Sequence, residues 1–275
     1  MRDMAVHALL FPGQGSHADG MEAPYRGNAL LERGLELLGD DPFARLDVGT
    51  RTQQPALFLC SLAAWDAAGR PPAGAAAGHS LGEYAALVAA GALDFEDALA
   101  LVDERAAAMA EAAEMAPGGM VAMLGGDPDR LADVAAQLGL TVANDNAPGQ
   151  LVLSGRVDAL GVAEKHARAV GARARRLDVG GAFHSPLMGP AAARLAAALA
   201  RVEFRPPAMS VYSCATAAPF ADPRRELADN LLRPVRWRET VLALHAAGID
   251  GFTEVGPGRV LTGMVRRIVP EEAAA

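Results

Sequence analysis

The sequence predicts an α/β protein in which a small ferredoxin-like subdomain interrupts a larger core. Short apolar runs of strand length alternate with helical patterns along most of the chain. A strand, a glycine-bounded turn and a helix follow one another between residues 73 and 90. Residues 116–179 have the order strand, helix, strand, strand, helix, strand. We therefore assign residues 1–115 and 180–275 to the core and residues 116–179 to the subdomain.

The N-terminal part predicts one strand, a tight loop and two helices. Residues 6–11 are an apolar run that ends at Pro12, which is typical of a buried strand. The following loop exposes main-chain amides, so it is either a simple turn or half of an oxyanion hole with the Gln14 amide as one donor. Residues 29–38 predict a helix, and a second helix is predicted with Pro55 in its first turn.

The glycine-bounded turn is the motif Gly78-His79-Ser80-Leu81-Gly82, which lies between a small-residue strand and a helix. The turn is too sharp for side chains at its two glycine positions. Ser80 would lie at its apex, with the Leu81 amide near the positive end of the helix, where developing negative charge is stabilised. Because Gly-x-Ser-x-Gly also occurs by chance, these five residues alone leave open both a nucleophile and an ordinary turn serine.

An arginine interrupts the apolar stripe of the next helix, which Asp94 caps. The helical period puts Arg105 on the same face as four apolar residues, Ala98, Leu101, Val102 and Met109. A guanidinium on such a face needs a partner, because a buried unpaired charge is strongly unfavourable. Arg105 therefore forms an internal salt bridge, extends its charge to solvent, or binds a substrate carboxylate with both arms of its guanidinium.

The subdomain is predicted from six segments of alternating type. Strands are predicted at residues 119–124, 140–143, 150–154 and 173–179, and helices at 128–138 and 158–170. Residues 144–149 predict the turn between the two middle strands. Asn146 lies in this turn, so it either faces a cleft or only supports the turn.

A histidine directly precedes the first helix after the subdomain. Ser185 caps this helix, which Pro186 begins and which runs to about residue 201. His184 follows Ser80 in the chain, which permits a nucleophile and a base, although no acid between them stands out. The alternative is a surface or capping histidine. The remaining chain predicts strands at residues 210–214 and 252–255 and helices at 226–232, 239–247 and 260–268.

Composition argues against several classes of protein. The net charge is −8 and no basic stretch offsets it, so no nucleic-acid partner is expected. No apolar run reaches the ~20 residues that a membrane span needs, and the N-terminus lacks a signal-peptide pattern. Two cysteines, Cys60 and Cys214, do not make a disulfide framework or a metal site. We therefore expect a cytoplasmic protein.

A series of motifs from residue 9 to about residue 268 carries a family resemblance. The motifs are Phe11-Pro12-Gly13-Gln14-Gly15-Ser16, Gln54-Pro55-Ala56, Gly78-His79-Ser80-Leu81-Gly82-Glu83-Tyr84, Arg105, Asn146-Ala147-Pro148-Gly149-Gln150, Ala182-Phe183-His184-Ser185-Pro186-Leu187-Met188, Pro234-Val235-Arg236-Trp237, and Glu254-Val255-Gly256-Pro257-Gly258-Arg259-Val260-Leu261-Thr262-Gly263. In this order they resemble the malonyl-CoA:acyl carrier protein transacylases of fatty acid synthesis and the acyltransferases of polyketide synthases.

The resemblance implies an α/β-hydrolase-like core with a parallel sheet, plus an inserted ferredoxin-like small subdomain. It implies a catalytic pair in which Ser80 is the nucleophile and His184 the base. The oxyanion donors would be the amides of Gln14 and Leu81. In this family a main-chain carbonyl, rather than an Asp, orients the imidazole, and Asn230 occupies the matching place.

The resemblance also implies the substrates. Arg105 would bind the malonyl carboxylate, Phe183 would narrow the pocket beside the α-carbon, and Asn146 and His79 would complete the substrate-binding set. The expected reaction transfers malonyl from malonyl-CoA to the phosphopantetheine thiol of an acyl carrier protein, through a malonyl-serine, for fatty acid synthesis. We expect no metal or other cofactor, and a monomer. The acidic carrier would dock on local positive charge, for which the candidates are Arg173, Arg175, Arg176, Arg266 and Arg267.

The sequence departs from the family pattern at the entrance and leaves other functions open. His17 stands where the family usually has Gln, and the segment between residues 17 and 53 is shorter than the family's. The first alternative is a stand-alone acyltransferase of a polyketide pathway. A serine esterase or thioesterase is an alternative from another class, as is a non-catalytic scaffold or a subunit of a malonate-decarboxylating complex.

Overall fold

The structure of the chain is a computed structural model that describes residues 7–269. Strands and helices alternate along most of this range, and the strands form one mainly parallel and one antiparallel sheet, which confirms the α/β class. No helix within the described residues is both long and apolar enough to cross a membrane. Residue 6, the predicted start of the first strand, lies outside the described residues, as do the two ends of the predicted core.

The described strands divide between two sheets. In chain order they are β1 (His7–Phe11), β2 (Ala75–Gly78), β3 (Gly118–Gly125), β4 (Thr141–Ala147), β5 (Gln150–Arg156), β6 (Ala172–Arg176), β7 (Ser210–Ser213), β8 (Ala218–Pro219) and β9 (Gly251–Glu254). The core sheet has the order β8-β7-β2-β1-β9, in which only β8 runs antiparallel to its neighbour. The subdomain sheet has the order β4-β5-β3-β6 and is antiparallel throughout.

The helices cover both sheets. In chain order they are α1 (Ala29–Leu38), α2 (Thr50–Ala67), α3 (Gly82–Ala89), α4 (Phe95–Met115), α5 (Pro128–Gln137), α6 (Val157–His166), α7 (Gly189–Leu199), α8 (Pro223–Asn230), α9 (Trp237–Ala246) and α10 (Val260–Ile268). Short 3₁₀ segments lie at Ala23–Tyr25, Pro42–Val48, Ala167–Val170 and Pro186–Met188. The last of these forms the first turn of the helix predicted after His184.

Both faces of the core sheet are buried, as is usual for a parallel sheet. On β1, Leu9 and Phe11 belong to one apolar cluster with residues of α2, α3 and α4. Ala8 and Leu10 belong to the opposite cluster, with residues of α9 and α10. The parallel strands all end at one edge of the sheet, and ligands of such sheets bind in the crevice outside their carboxyl ends.

The subdomain sheet uses its two faces differently. Val121, Met123 and Leu153 pack against residues of α5 and α6. Met120 and Val152 point the other way and line a cleft between the subdomain and the carboxyl edge of the core sheet. The subdomain therefore forms one wall of this cleft.

The second helix begins earlier than the sequence predicts. α2 starts at Thr50, so the expectation that Pro55 lies in the first turn is wrong. Gly49, with a φ of 89°, turns the chain out of the preceding 3₁₀ segment and allows this early start. The hydrogen bond that Pro55 cannot donate would reach the carbonyl of Arg51, an exposed residue, so water can satisfy this group.

The turn predicted at residues 144–149 is mostly strand. β4 continues to Ala147, and only Pro148 and Gly149 connect it to β5. The extension is held from outside the subdomain, because the main-chain N–H of Asp145 donates to the carbonyl of Val235 at 2.9 Å. Arg238 adds a 2.7 Å ion pair with the Asp145 carboxylate. Asn146 therefore lies on a strand that the core holds in place.

Two other boundaries differ for local reasons. The helix predicted at residues 226–232 begins at Pro223, which fits the first turn of α8. The last subdomain strand ends at Arg176 rather than residue 179. The Leu177 N–H still donates to the Met120 carbonyl of β3 at 3.0 Å, and beyond it the chain turns along the cleft, which Leu177 and Val179 line.

A contact that only glycine permits joins β2, α3 and β1. A Cβ atom on Gly78 would lie 1.9 Å from the main-chain carbonyl carbon of Gly82. A Cβ atom on Gly82 would lie 2.0 Å from the carbonyl oxygen of Phe11. Both distances are far below van der Waals contact, and the partners are main-chain atoms that cannot move aside. The sharp turn predicted from the two glycines is therefore present.

We predict that Gly82→Ala lowers the free energy of unfolding by at least ~2 kcal/mol, because the added methyl group overlaps the main chain of β1. The control is Gly161→Ala in α6, where a Cβ would meet no atom within 4 Å. There the change should raise stability by about 0.5–1 kcal/mol, since alanine loses less entropy in a helix. Urea unfolding measures both, and equal stabilities for the two variants would contradict the close contact at Gly82.

Candidate active site

Ser80 lies at the apex of the turn between β2 and α3, at the carboxyl edge of the core sheet. Its φ of 52° is in the left-handed region, which a residue with a side chain adopts only where its surroundings enforce it. The main-chain N–H of Ser80 donates to Sγ of Cys214 at 3.4 Å, which ties the turn to the end of β7. Ser80 lines the cleft, in the geometry of a nucleophile elbow.

His184 faces the Ser80 hydroxyl and is 5% exposed. Its Nε2 lies 2.9 Å from Oγ of Ser80, and its Nδ1 lies 2.8 Å from the carbonyl oxygen of Asn230 and 3.1 Å from that of Arg233. Carbonyl oxygens only accept, so Nδ1 carries the proton and Nε2 is free to accept one. Burial, and secondly the charge of Arg105, lower the pKa of His184 to about 4, so the ring is neutral near pH 7.

Arg105 is a buried cation without a carboxylate partner. Its side chain is 2% exposed, and Nη1 donates to Oε1 of Gln54. Nη2 donates to Oγ of Ser80 at 2.9 Å, which leaves the hydroxyl proton of Ser80 directed at His184. Within residues 7–269 no Asp or Glu pairs with Arg105, so neither the internal salt bridge nor the solvent-exposed arginine is present. Burial lowers the pKa of Arg105, because little water can reach the guanidinium to solvate its charge.

Two residues of the cleft have main-chain amides that make no hydrogen bond among residues 7–269. Gln14 and Leu81 both line the cleft, and within the described part of the chain neither amide N–H donates to another group. Gly13 brings the Gln14 loop against the turn, since a Cβ there would lie 2.4 Å from the carbonyl oxygen of His79. The side-chain oxygen of Gln14 accepts a hydrogen bond from the Thr50 hydroxyl, so only the main-chain amide of Gln14 is free.

The other predicted substrate-binding residues line the same cleft. Nε2 of His79 lies 2.9 Å from Oδ1 of Asn146, so a hydrogen bond joins the core to the subdomain. The His79 ring also packs against Trp237, with the ring centroids 5.5 Å apart, and burial lowers the pKa of His79. Phe183 is buried next to His184. The structure thus brings together, around Ser80, residues from motifs that lie far apart in the sequence.

Comparison with known proteins identifies the family. Residues 35–274 match the acyl transferase domain. The chain belongs to the acyl transferase domain family. The malonyl CoA-acyl carrier protein transacylases of Salmonella typhimurium and Bacillus subtilis are each 38% identical to this acyl transferase domain. The alignments cover 97% and 96% of this chain and 94% and 91% of those proteins.

Solved structures extend the similarity to the whole fold. The malonyl CoA-acyl carrier protein transacylase of Coxiella burnetii superposes with a TM-score of 0.90 at 36% identity, over 96% of this chain and 91% of that one. A malonyl-transacylase solved in complex with a type II polyketide synthase acyl-carrier protein has a TM-score of 0.89 at 36% identity, over 96% and 93%. The polyketide biosynthesis protein ThaF of Burkholderia thailandensis is 38% identical over 99% of this chain but only 25% of its own length.

Two buried polar side chains of this acyl transferase domain have roles that the sequence does not reveal. Gln54 holds the guanidinium of Arg105, and its own amide donates to Thr50 at 2.7 Å. Glu83, in the first turn of α3, is 0% exposed and accepts hydrogen bonds from Cys214 and Asn230. The available signal was a polar residue just before an apolar helical run, which by itself does not say what the side chain contacts.

The predicted docking arginines are not equivalent. Arg176 forms a 2.9 Å ion pair with Glu164, and Arg267 donates to Gln150 at 2.7 Å. Arg173 and Arg175 are exposed on β6. Arg175 pairs in register with Ala122, so both arginines lie on the face of the sheet that borders the cleft.

His17 lies at the entrance of the cleft. It lines a groove together with Asp47 and Asp178, and Gln14 lines both this groove and the cleft. The departure from the family pattern at residue 17 is therefore at the entrance. Among residues 7–269 no three His, Cys, Asp or Glu side chains cluster in a way that could hold a metal ion.

Proposed function

We propose that this chain transfers the malonyl group of malonyl-CoA to the phosphopantetheine thiol of an acyl carrier protein, through a malonyl ester of Ser80. Arg105 carries this proposal, because it is a buried cation with which no Asp or Glu of residues 7–269 pairs, and its Nη2 lies 2.9 Å from Oγ of Ser80. An acyl group that ends in a carboxylate would supply the missing charge. The relatives named as malonyl CoA-acyl carrier protein transacylases support the same pair of substrates.

In the first half-reaction Nε2 of His184 accepts the hydroxyl proton while Oγ of Ser80 attacks the thioester carbonyl. The amides of Gln14 and Leu81 stabilise the oxyanion, and each such donor lowers the activation free energy by roughly 3–4 kcal/mol. Coenzyme A then leaves, its sulfur takes the proton from His184, and malonyl-serine remains.

In the second half-reaction the phosphopantetheine thiol gives its proton to His184 and attacks the ester carbonyl. Oγ of Ser80 leaves and regains the proton, which restores the starting state. Every step uses groups of this chain, the thioester of malonyl-CoA and the thiol of the carrier protein, so the proposal calls for no cofactor. Water competes for the ester, and a cleft that the carrier's arm fills would limit this loss.

The malonyl carboxylate would also act on the base. The charge of Arg105 contributes to the low pKa of His184. A carboxylate bound to Arg105 offsets this charge, so His184 becomes a stronger base once the correct acyl group is present. Asn146 and His79 would border the malonyl group, and Phe183 would leave less room for a methyl branch on its α-carbon.

We also propose a finer description of the fold. The parallel order β7-β2-β1-β9, with a serine turn after β2, supports an α/β-hydrolase-like core formed by residues 1–115 and 180–275. The order β4-β5-β3-β6, with helices after β3 and β5, supports a ferredoxin-like subdomain at residues 116–179. For the pathway we propose fatty acid synthesis, with a polyketide pathway as the alternative that the similarity to ThaF favours.

The proposed intermediate predicts that brief incubation with malonyl-CoA adds one malonyl group to Ser80, which mass spectrometry of quenched protein can locate. Ser80→Ala should abolish the label, and His184→Ala should slow both half-reactions by a factor on the order of 10²–10⁴. Release of free malonate as fast as carrier loading would instead support the esterase alternative. A label on another residue would contradict the proposed nucleophile.

The proposed role of Arg105 predicts that Arg105→Ala lowers the ratio of kcat/KM for malonyl-CoA to that for acetyl-CoA by about 10²-fold or more, because the carboxylate loses its partner. Arg105→Lys should recover little of the ratio, since an ammonium cannot form two parallel hydrogen bonds. A ratio that Arg105→Ala leaves unchanged would show that the guanidinium has only a structural role.

For docking of the acidic carrier protein we propose the exposed arginines of β6, Arg173 and Arg175. The double change Arg173→Glu and Arg175→Glu should then raise KM for the carrier protein several-fold and leave the kinetics with malonyl-CoA unchanged. Added salt should weaken carrier binding by the wild-type protein in the same direction. The matched control is Arg168→Glu, an exposed arginine on the helical side of the same subdomain. Equal effects of the two reversals would exclude this face as the docking site.

A further inference from the structure

Glu83 is a fully buried carboxyl group for which the proposed chemistry has no direct use. It lies three residues after Ser80, in the first turn of α3, and is 0% exposed. Acidic residues at this position of a helix usually lie at the surface, where they interact with the helix dipole. A carboxyl group that is taken out of water requires compensating hydrogen bonds, and the identity of its donors shows what the group holds in place.

The two carboxyl oxygens of Glu83 bind two different elements. Oε1 accepts the main-chain N–H of Cys214 at 2.7 Å, directly after β7. Oε2 accepts a hydrogen bond from Nδ2 of Asn230, the last residue of α8. Glu83 therefore connects the start of α3 with the end of the core strand β7 and the end of α8.

Each connection leads to a group of the active site. Sγ of Cys214 accepts the main-chain N–H of Ser80 at 3.4 Å. The carbonyl oxygen of Asn230 accepts the proton on Nδ1 of His184 at 2.8 Å. Oδ1 of Asn230 has no hydrogen-bond partner among the described residues, so the amide group of this side chain is held through its nitrogen.

We propose that Glu83, as a carboxylate, is a positioning residue that fixes the Asn230 carbonyl and thereby orients His184 toward Ser80. The inference rests on the proposed roles of Ser80 and His184. It supplies the acid that does not stand out between these residues in the sequence, and this acid acts through a main-chain carbonyl rather than on the imidazole itself. The strength of this support depends on the charge of Glu83, because a protonated carboxyl group accepts weaker hydrogen bonds from the two N–H donors than a carboxylate does.

The ionisation of Glu83 falls in an accessible pH range. Burial raises the pKa of Glu83 to about 7, although hydrogen bonds from Cys214, Asn230 and Ser213 favour the carboxylate. The other titratable groups that interact with this site are Tyr84 on α3, Arg105 on α4 and the Cys214 thiol after β7. His184, with its pKa lowered to about 4, stays neutral while Glu83 titrates.

The decisive variant is Glu83→Gln. A glutamine keeps an oxygen for the N–H of Cys214, and rotation of the Asn230 amide would present the unpartnered Oδ1 to the new NH₂ group. Two rates are measured from about pH 5 to about pH 9: malonylation of Ser80 by malonyl-CoA, and its sulfonylation by phenylmethanesulfonyl fluoride. The second reagent needs no carboxylate site, so it tests His184 and Ser80 even if malonyl-CoA is not the substrate.

For the wild-type protein both rates should fall as the pH drops through about 7, the pKa of Glu83. Glu83→Gln should lower both rates by roughly tenfold to a hundredfold near pH 8, since a small misplacement of a base has effects of this size. The remaining activity should lose its fall near pH 7 and decline only toward the pKa of His184. Glu83→Asp, which keeps the charge, should restore a fall in the neutral range.

Two further measurements separate positioning from general stability. Glu254→Gln changes another structural carboxylate, which accepts the N–H groups of Leu261 and Thr262, and it should leave the pH profile unchanged. Asn230→Ala removes the side chain that Glu83 holds but keeps the main-chain carbonyl. If Glu83 acts through Asn230, the double variant is no slower than the slower single variant.

The proposal is overturned by a folded Glu83→Gln protein that malonylates and sulfonylates Ser80 at the wild-type rates with the wild-type pH profile. If Ser80 is sulfonylated as expected but never malonylated, the proposed function fails while the positioning role of Glu83 is upheld.

Discussion

The arrangement of the site depends on the close approach of three main-chain segments at Gly78 and Gly82. With no side chain at either position, the first turn of α3 packs directly against the ends of β1 and β2. This contact brings the Gln14 loop, the Ser80 hydroxyl and the Leu81 amide to one point of the sheet edge. It also holds Ser80 in a backbone conformation that costs free energy, which the surrounding core offsets.

The two fully buried charged groups near Ser80 serve different partners. Glu83 is occupied by Cys214 and Asn230, so it does not neutralise Arg105. If the two were paired, the guanidinium would be satisfied by the protein itself and would have no electrostatic preference for an acidic acyl group. In the proposed function this separation leaves Arg105 available for an acyl carboxylate, while Glu83 supports the Asn230 carbonyl that orients His184.

Elements with strong local signals were predictable, and contacts between distant segments were not. The helices at residues 29–38 and 260–268 have the predicted bounds, and Asp94 caps α4 as its position indicates. The prediction of a turn at residues 144–149 was wrong, because the strand there is hydrogen-bonded to Val235, which lies far along the chain. The helical period predicted an inward-facing Arg105, but the absence of a carboxylate partner among residues 7–269 depends on helix packing that no local pattern records. The burial of Glu83 was not predicted, because an acid in a first helical turn is usually a surface residue.

The connectivity of the two sheets has a consequence for how the chain folds. All four strands of the small sheet lie within residues 118–176, so their contacts can form from one continuous stretch of chain. The core sheet instead pairs β1 with β9, which joins His7 to Gly251 across most of the sequence. Contacts at such separation form slowly and, during synthesis, only after the segment around Gly251 has left the ribosome. The small sheet can therefore be complete while the first strand of the core still waits for its neighbour, with an open edge that other strands could join.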